Sequence, residues 1–126
     1  MGVFYYPMEL ASEVTGEFHK LRALVDTGAL YSWAPGGVLQ ELGLQPMGIM
    51  PFQMADGTAI ERQFTEAKVR IEGRVRTTIV IFGAARDQTP LGAYTLEGCG
   101  LCADSVNRRL IPMDVVPAVT PIGPVG

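Results

Sequence analysis

The sequence predicts an all-β domain, on three observations. Fifteen glycines and nine prolines among 126 residues, with 18% charged and 48% hydrophobic side chains, suit short strands joined by turns better than long helices. Ala67, Val69 and Ile71 alternate with Lys68, Arg70 and Glu72, a period of two that turns one face inward and the other to water. Asp56-Gly57 stands between two short apolar-bearing runs, Phe52 to Ala55 and Thr58 to Ile60, and Asp-Gly is favoured where successive turn residues take positive φ. The length fits one domain, with about two thirds of its unfolded surface buried on folding.

Taken in order, Val3 to Met8 reads as a strand, Ser12 to Glu17 as a turn-rich link, and Phe18 to Val25 as a second strand that delivers the chain to Asp26. Tyr31 to Trp33 is a short strand. Val38 to Leu42 is one helical stretch that Gly43, in a left-handed conformation, can close. Phe52 to Ile60 forms the hairpin already noted, Ala67 to Ile71 a strand, and Gly73 turns the chain into a further strand over Val75 to Phe82. Gly83 to Thr89 is loop, Pro90-Leu91-Gly92 leads into a short helix over Ala93 to Gly98, and a hairpin of Leu101 to Asp104 with Leu110 to Pro112 closes the domain. Pro117, Pro121 and Pro124 prevent a regular central strand beyond it, so the chain divides into a domain over 1–112 and a proline-bearing tail over 113–126, an extended arm or disordered.

The formal net charge of −3, with only two lysines, offers no broad attraction for nucleic acid or an anionic membrane. Arg70, Arg74 and Arg76 cluster, but Glu66 and Glu72 interleave with them as on an ordinary solvated strand. The best apolar run, Ile79 to Phe82, is strand-sized and far short of the roughly 18 to 20 residues that span a bilayer. No secretory signal is visible, so a cytoplasmic location is expected by default. Cys99 and Cys102 have Cys-x-x-Cys spacing, yet there is no second cysteine pair and His19 is the sole histidine. No four-ligand metal site can be assembled from them within one chain, and they are expected to serve as small core residues. No cofactor is implied.

Chemistry concentrates at Leu24-Val25-Asp26-Thr27-Gly28-Ala29, two apolar residues running into an Asp-Thr-Gly-Ala turn that occurs once. Asp56-Gly57-Thr58 has the wrong order, and Asp104-Ser105-Val106 lacks the glycine. Asp supplies a short acceptor-rich side chain, Thr a hydroxyl able to bond backbone, and Gly a tight turn. The plain alternative is an Asx turn at a strand end, which needs no function.

The turn resembles the active-site turn of aspartic proteases, and its order along the chain resembles the retropepsin-like family. An Asp-Gly hairpin follows about thirty residues later, and an apolar-apolar-Gly element at Pro90-Leu91-Gly92 precedes a short helix. The pattern is similar to small prokaryotic members in which a Leu-Gly-x-x-x-Leu-Glu helix precedes an Asp-x-Val-Asn-Arg-Arg-Leu hairpin. Here these read Leu91 to Glu97 and Asp104 to Leu110. The resemblance spans about residues 1–112 and implies a closed β-barrel-like acid protease fold with a flap hairpin and one or two short helices. It implies Asp26, Thr27 and Gly28 as the catalytic turn, a flap tipped by Ala55, Asp56, Gly57 and Thr58, and substrate contacts at Ala29, Leu91 and Gly92.

Acid-protease chemistry needs two carboxylates around one water, so a chain with a single such Asp implies a homodimer that pairs Asp26 with its symmetry mate. Ala29, Ile60 and Leu91 would then favour apolar side chains near the scissile bond of a peptide or protein substrate. After Gly92, Ala93-Tyr94 stands where viral members carry an Arg-Asn pair that helps hold the dimer. Trp33 packs in the core beneath the turn or walls the cleft. The competing readings are a catalytically silent dimeric β module that binds extended peptides or unfolded chains, and a monomeric structural domain in which Asp26 merely caps a turn.

Overall fold

The computed structural model describes residues 2–113; apart from Met113, the tail at 113–126 lies outside the described residues. Strands β1 (Phe4–Ala11) and β2 (Phe18–Val25) form an antiparallel hairpin whose register runs from Phe4 opposite Val25 to Ala11 opposite Phe18. β1 reaches three residues beyond the expected Met8, because the loop starts only at Ser12, whose Oγ accepts the amides of Val14 and Thr15 at 3.1 and 3.2 Å. β3 (Ser32–Pro35) leads into α1 (Gly36–Glu41). Gly43 closes this helix at φ +76°: its amide bonds Gln40 O, and the Leu44 amide bonds Leu39 O, the paired pattern of a left-handed helix stop.

β4 (Gly48–Gln53) and β5 (Ala59–Ile71) make the central hairpin. β5 is one strand of 13 residues. Its first half pairs with β4, and its second half pairs with β6 (Arg74–Gly83) and briefly with β1. Side chains along it alternate, so Ala67, Val69 and Ile71 are buried, as their period of two requires.

The turn at Asp56-Gly57 departs from the doubly left-handed geometry expected of it. At the β4–β5 tip only Gly57 takes positive φ, at +89°; Gly57 N bonds Met54 O, and Met54 N bonds Thr58 O. That is a three-residue loop ended by a left-handed glycine, one residue longer than a two-residue Asp-Gly turn. The doubly left-handed turn stands instead between β5 and β6, where Glu72 and Gly73 have φ of +51° and +74° and Ile71 pairs directly with Arg74.

β7 (Pro90–Leu91), α2 (Ala93–Gly98), β8 (Leu101–Asp104) and β9 (Arg109–Pro112) complete the described residues. Seven strands form one sheet in the order β3-β6-β5-β1-β2-β7, with β4 added on β5, and β8–β9 form a separate ribbon. The expected closure into a barrel is not made by strand pairing: β3 and β7 remain the two ends of the sheet. β7 is only two residues long, bonded parallel to the end of β2, and turns at once into α2. The ends meet through a side chain instead, the Gly92 amide donating to Ser32 Oγ at 3.0 Å.

Leu10, Val69, Val80, Leu91, Leu96, Cys99 and Leu101 lie at the centre of one continuous core. Cys99 is free and fully buried, and burial pushes its thiol pKa up, so it behaves as a small apolar residue. The arginine cluster is largely structural. Arg70 pairs with Glu9, Arg74 Nη1 donates to Cys99 O and Gly100 O at 2.8 and 2.9 Å, and Arg76 Nε donates to Gly98 O at 2.9 Å. Two guanidinium groups thus satisfy the carbonyls at the C-terminal end of α2, where a cation is favoured. Among the described residues no helix is long and apolar enough to cross a membrane.

Candidate active site

β2 delivers Asp26 to the surface from a buried Val25. The Asp26 amide bonds Leu91 O at 3.2 Å, its carbonyl accepts the Ala29 amide at 3.1 Å, and its Oδ1 accepts the Gly28 amide at 2.9 Å. A Cβ on Gly28 would lie 3.1 Å from that carboxylate oxygen, so glycine leaves the carboxylate its place. The last bond is the Asx turn expected of any Asp at a strand end. It engages one oxygen; among the described residues Oδ2 has no hydrogen bond within the chain. Thr27 is exposed.

What lies under the turn makes it more than a strand end. The Ala93 and Tyr94 amides, at the start of α2, donate to Ala29 O and Leu30 O at 2.9 Å each. Gly92 is packed so closely that a Cβ there would stand 2.6 Å from Tyr31 O and 2.7 Å from Leu30 O. Its φ is an ordinary −92°; space, not backbone freedom, demands glycine. Behind it runs a fully buried hydroxyl chain, with Ser32 Oγ 2.6 Å from Thr95 Oγ1, which lies 2.8 Å from Thr78 Oγ1. Sequence reasoning missed these three residues. Ser32 is one of only three serines and closely follows the turn, but nothing local signals a partner 63 positions away.

A groove of about 370 Å³ opens beside Asp26. It is lined by Gly28 and Ala29 of the turn, by Trp33 and Pro90, by Gln53, Met54 and Ala55 of the β4–β5 hairpin, and by Arg86, Asp87 and Gln88 of the loop before β7. Trp33 is half-buried and packs on Phe52 at 5.0 Å between centroids, so it both supports the hairpin and walls the groove. The hairpin is also tethered at its base. Arg62 of β5 grips Asp87 through both oxygens, Nε to Oδ2 at 2.6 Å and Nη2 to Oδ1 at 3.1 Å, and Asp87 Oδ2 also accepts the Ala84 amide at 2.7 Å. The Arg62 hydrogen bonds hold the Asp87 carboxyl below its usual pKa and raise that of Arg62.

Of the expected substrate contacts, Ala29 and Ala55 line the groove. Asp56, Gly57 and Thr58 are exposed at the tip and do not line it. Asp56 is occupied in shaping the turn: the Thr58 hydroxyl and then its amide, at 2.7 and 2.9 Å, hold its carboxyl below the usual range. Leu91, fully buried, and Gly92, buried, hold the turn from below and do not line the groove. Ile60 does not line it either. The residues not foreseen are Gln53, Met54, Arg86, Asp87 and Gln88.

The Asp104 to Leu110 motif also acquires a physical reason. Asp104 accepts Asn107 Nδ2, the Asn107 amide and Arg109 Nε at 2.9, 3.2 and 3.1 Å, so one carboxylate organises the β8–β9 turn. Ala103 and Ser105 of this ribbon meet Val3, Asp26 and Thr27 around a small cleft of about 70 Å³. Nearby apolar side chains stay in solvent: Val3 is 50% exposed, Leu30 59% and Tyr94 47%. Of the two carboxylates lining the groove, Asp87 is held by Arg62 and Asp26 has no ion pair among the described residues; alone, Asp26 can act as a general acid or base, and two-carboxylate chemistry needs a second free carboxylate beside it.

No family model and no curated protein matches the chain. Among solved structures, the chain is similar to the protease of simian foamy virus (mac), in its solution structure, with TM-score 0.50 and 21% sequence identity over 73% of this chain and 92% of that one. It is also similar to a crystal structure of a retropepsin-like aspartic protease from Rickettsia conorii, with TM-score 0.45 and 20% identity over 82% and 89% of the two chains. The likeness to the viral enzyme shows the fold: an all-β, retropepsin-like one.

Two outcomes are expected from this geometry. Gly92→Ala forces a methyl into backbone carbonyls that cannot yield as a flexible side chain does, and is expected to cost about 3 kcal/mol in urea unfolding, the upper range of overpacking; a loss under about 0.5 kcal/mol would show that the turn relaxes freely. Because the folded Asp87 carboxyl has a lowered pKa, its stabilisation is fully present above the unfolded value near 3.9 and is lost as pH falls through the lower folded value. Asp87→Asn is therefore expected to destabilise by about 1 kcal/mol at pH 6 and by progressively less toward pH 3, read by denaturation at each pH.

Proposed function

We propose that this chain, which carries the retropepsin-like fold, is an aspartic endopeptidase that works as a homodimer, with Asp26 of each subunit meeting at the two-fold axis. The observation that carries the reading is the Asp26 turn itself: one Asp-Thr-Gly per chain, pinned from beneath by Gly92 and the amides of α2, with a carboxylate oxygen left free beside a groove.

In the dimer two like carboxylates a few ångströms apart cannot both ionise comfortably, so they share one proton, as in the aspartic-protease dyad, and their titration belongs to the pair. One Asp26 takes a proton from the attacking water while its mate protonates the scissile amide, general acid and base assistance of about a hundredfold to ten-thousandfold. Thr27 supplies a hydroxyl for the facing turn, and Gly28 keeps the carboxylate in position. The β4–β5 hairpins act as flaps, and substrate lies extended with its main chain pairing to the groove edges. The apolar rim of Val3, Leu30 and Tyr94 supports a two-fold contact around the turns, in place of the Arg-Asn pair that viral members carry where Ala93-Tyr94 stands here.

Cleavage of an unstructured protein across about pH 3 to 7 tests the chemistry: Asp26→Asn, which keeps shape and removes the charge, is expected to lower the rate at least a hundredfold while remaining folded and dimeric. Equal cutting by both proteins would end the protease reading, and cutting by neither would leave a silent peptide-binding dimer. Leu30→Glu is expected to turn the dimer into a folded monomer in sedimentation and to abolish cleavage with it; an active monomer would refute the two-subunit site.

A further inference from the structure

The groove beside Asp26 carries one charge that the fold has not used. Of its charged lining residues, Asp87 is neutralised by the two-pronged grip of Arg62, and Asp26 is reserved for the chemistry proposed above. Arg86 has neither an ion pair nor a side-chain hydrogen bond among the described residues, yet it lines the same groove. On the sheet, Arg62, Arg70, Arg74 and Arg76 are committed to carboxylates or to carbonyls at the end of α2, and Arg22 stacks on the Tyr5 ring at 4.1 Å.

Arg86 is also presented on a fixed frame. The Asp87 amide bonds Ala84 O at 3.0 Å and Asp87 Oδ2 accepts the Ala84 amide at 2.7 Å, so residues 84 to 87 form a turn closed by main chain and side chain together. Arg62 then ties that turn to β5. The turn's backbone is held from both ends while the Arg86 side chain stands exposed at its tip. Gln53 and Met54 line the same groove, and Trp33 and Pro90 give it apolar surface. A substrate side chain entering here meets apolar surface along its stem and a guanidinium at its end, an environment matched by the methylenes and carboxylate of Glu or, at shorter reach, Asp.

We infer that Arg86 is a specificity-determining residue, and that the groove selects peptides carrying an acidic side chain beside the scissile bond. This rests on the protease reading and replaces the apolar preference that Ala29, Ile60 and Leu91 suggested, since Ile60 and the buried Leu91 do not line the groove. Two-fold symmetry would supply Arg86 on both sides of the bond, so an acidic residue is favoured on either side of it.

The full-length protein is tested at pH 5.5, where Asp and Glu side chains are ionised, against a peptide library randomised on both sides of a central bond, with cut sites read by mass spectrometry. Glu and Asp near the cut are expected to be enriched about threefold over Gln and Asn, in the range of an exposed ion pair, and Arg86→Glu is expected to shift the enrichment to Lys and Arg without unfolding the chain. In parallel, folded Asp26→Asn is titrated with paired fluorescent peptides differing only as Glu or Gln. Cleavage or binding without a Glu-over-Gln preference, a preference that survives Arg86→Glu, or no binding and no cleavage at all would overturn the inference. Tighter binding of the Glu peptide that Arg86→Glu abolishes, with no cutting by wild type, would uphold it while ending the protease reading.

Discussion

The structure depends on a close approach of backbone to backbone beneath the Asp26 turn. Gly92 meets the carbonyls of Leu30 and Tyr31 at a distance no side chain permits, and that contact aligns the Ala93 and Tyr94 amides with Ala29 O and Leu30 O. The bonds run between segments more than sixty residues apart and turn a flexible Asx turn into a fixed one. Because buried backbone polar groups must find partners, the same contact brings the Gly92 amide to Ser32 Oγ, and Ser32 to Thr95 and Thr78. A buried chain of hydroxyls with every member bonded rigidifies its surroundings, whereas one left open would cost free energy.

From that point the rest of the architecture reads as support. α2 can begin at Gly92 only if its other end is also satisfied, and Arg74 and Arg76 reach across from β6 to do this. β5 serves two roles by its length. One half is clamped in the core between β1 and β6, the other extends with β4 over the groove, and Arg62 near the junction fastens it to Asp87. The hairpin beside the groove is therefore joined to a fixed floor.

Much of this was legible in the chain itself. α2 and β8 stand at their expected bounds, the glycine stop after α1 has its left-handed φ, and the alternation in β5 buries the residues it marks, because these features are set within a few residues. Long-range effects were less legible. β1 ran past Met8 because β2 offered it partners, and β5 ran unbroken because it pairs with different strands along its length. The doubly left-handed turn stood at Glu72-Gly73 rather than at Asp56-Gly57 because strand register fixed the loop lengths. At the site, the Asp26 turn was visible as a motif, while Ser32, Thr78, Thr95 and Arg86 were not, since each owes its place to elements remote in sequence.

By itself the sequence determined the all-β class, the punctuation of strands by glycine and proline, and the single Asp-Thr-Gly turn, because local conformational preference and hydrophobic period act over a handful of neighbouring residues. Only the tertiary structure decided that Leu91 and Gly92 lie under the turn rather than against the groove, that the sheet's two ends meet through Ser32 instead of a closing strand, and that among the described residues Arg86 stands unpaired where Asp87 does not. Those outcomes depend on which surfaces exclude one another and which charges find partners when distant segments are packed together. Such relations do not exist until the chain has folded.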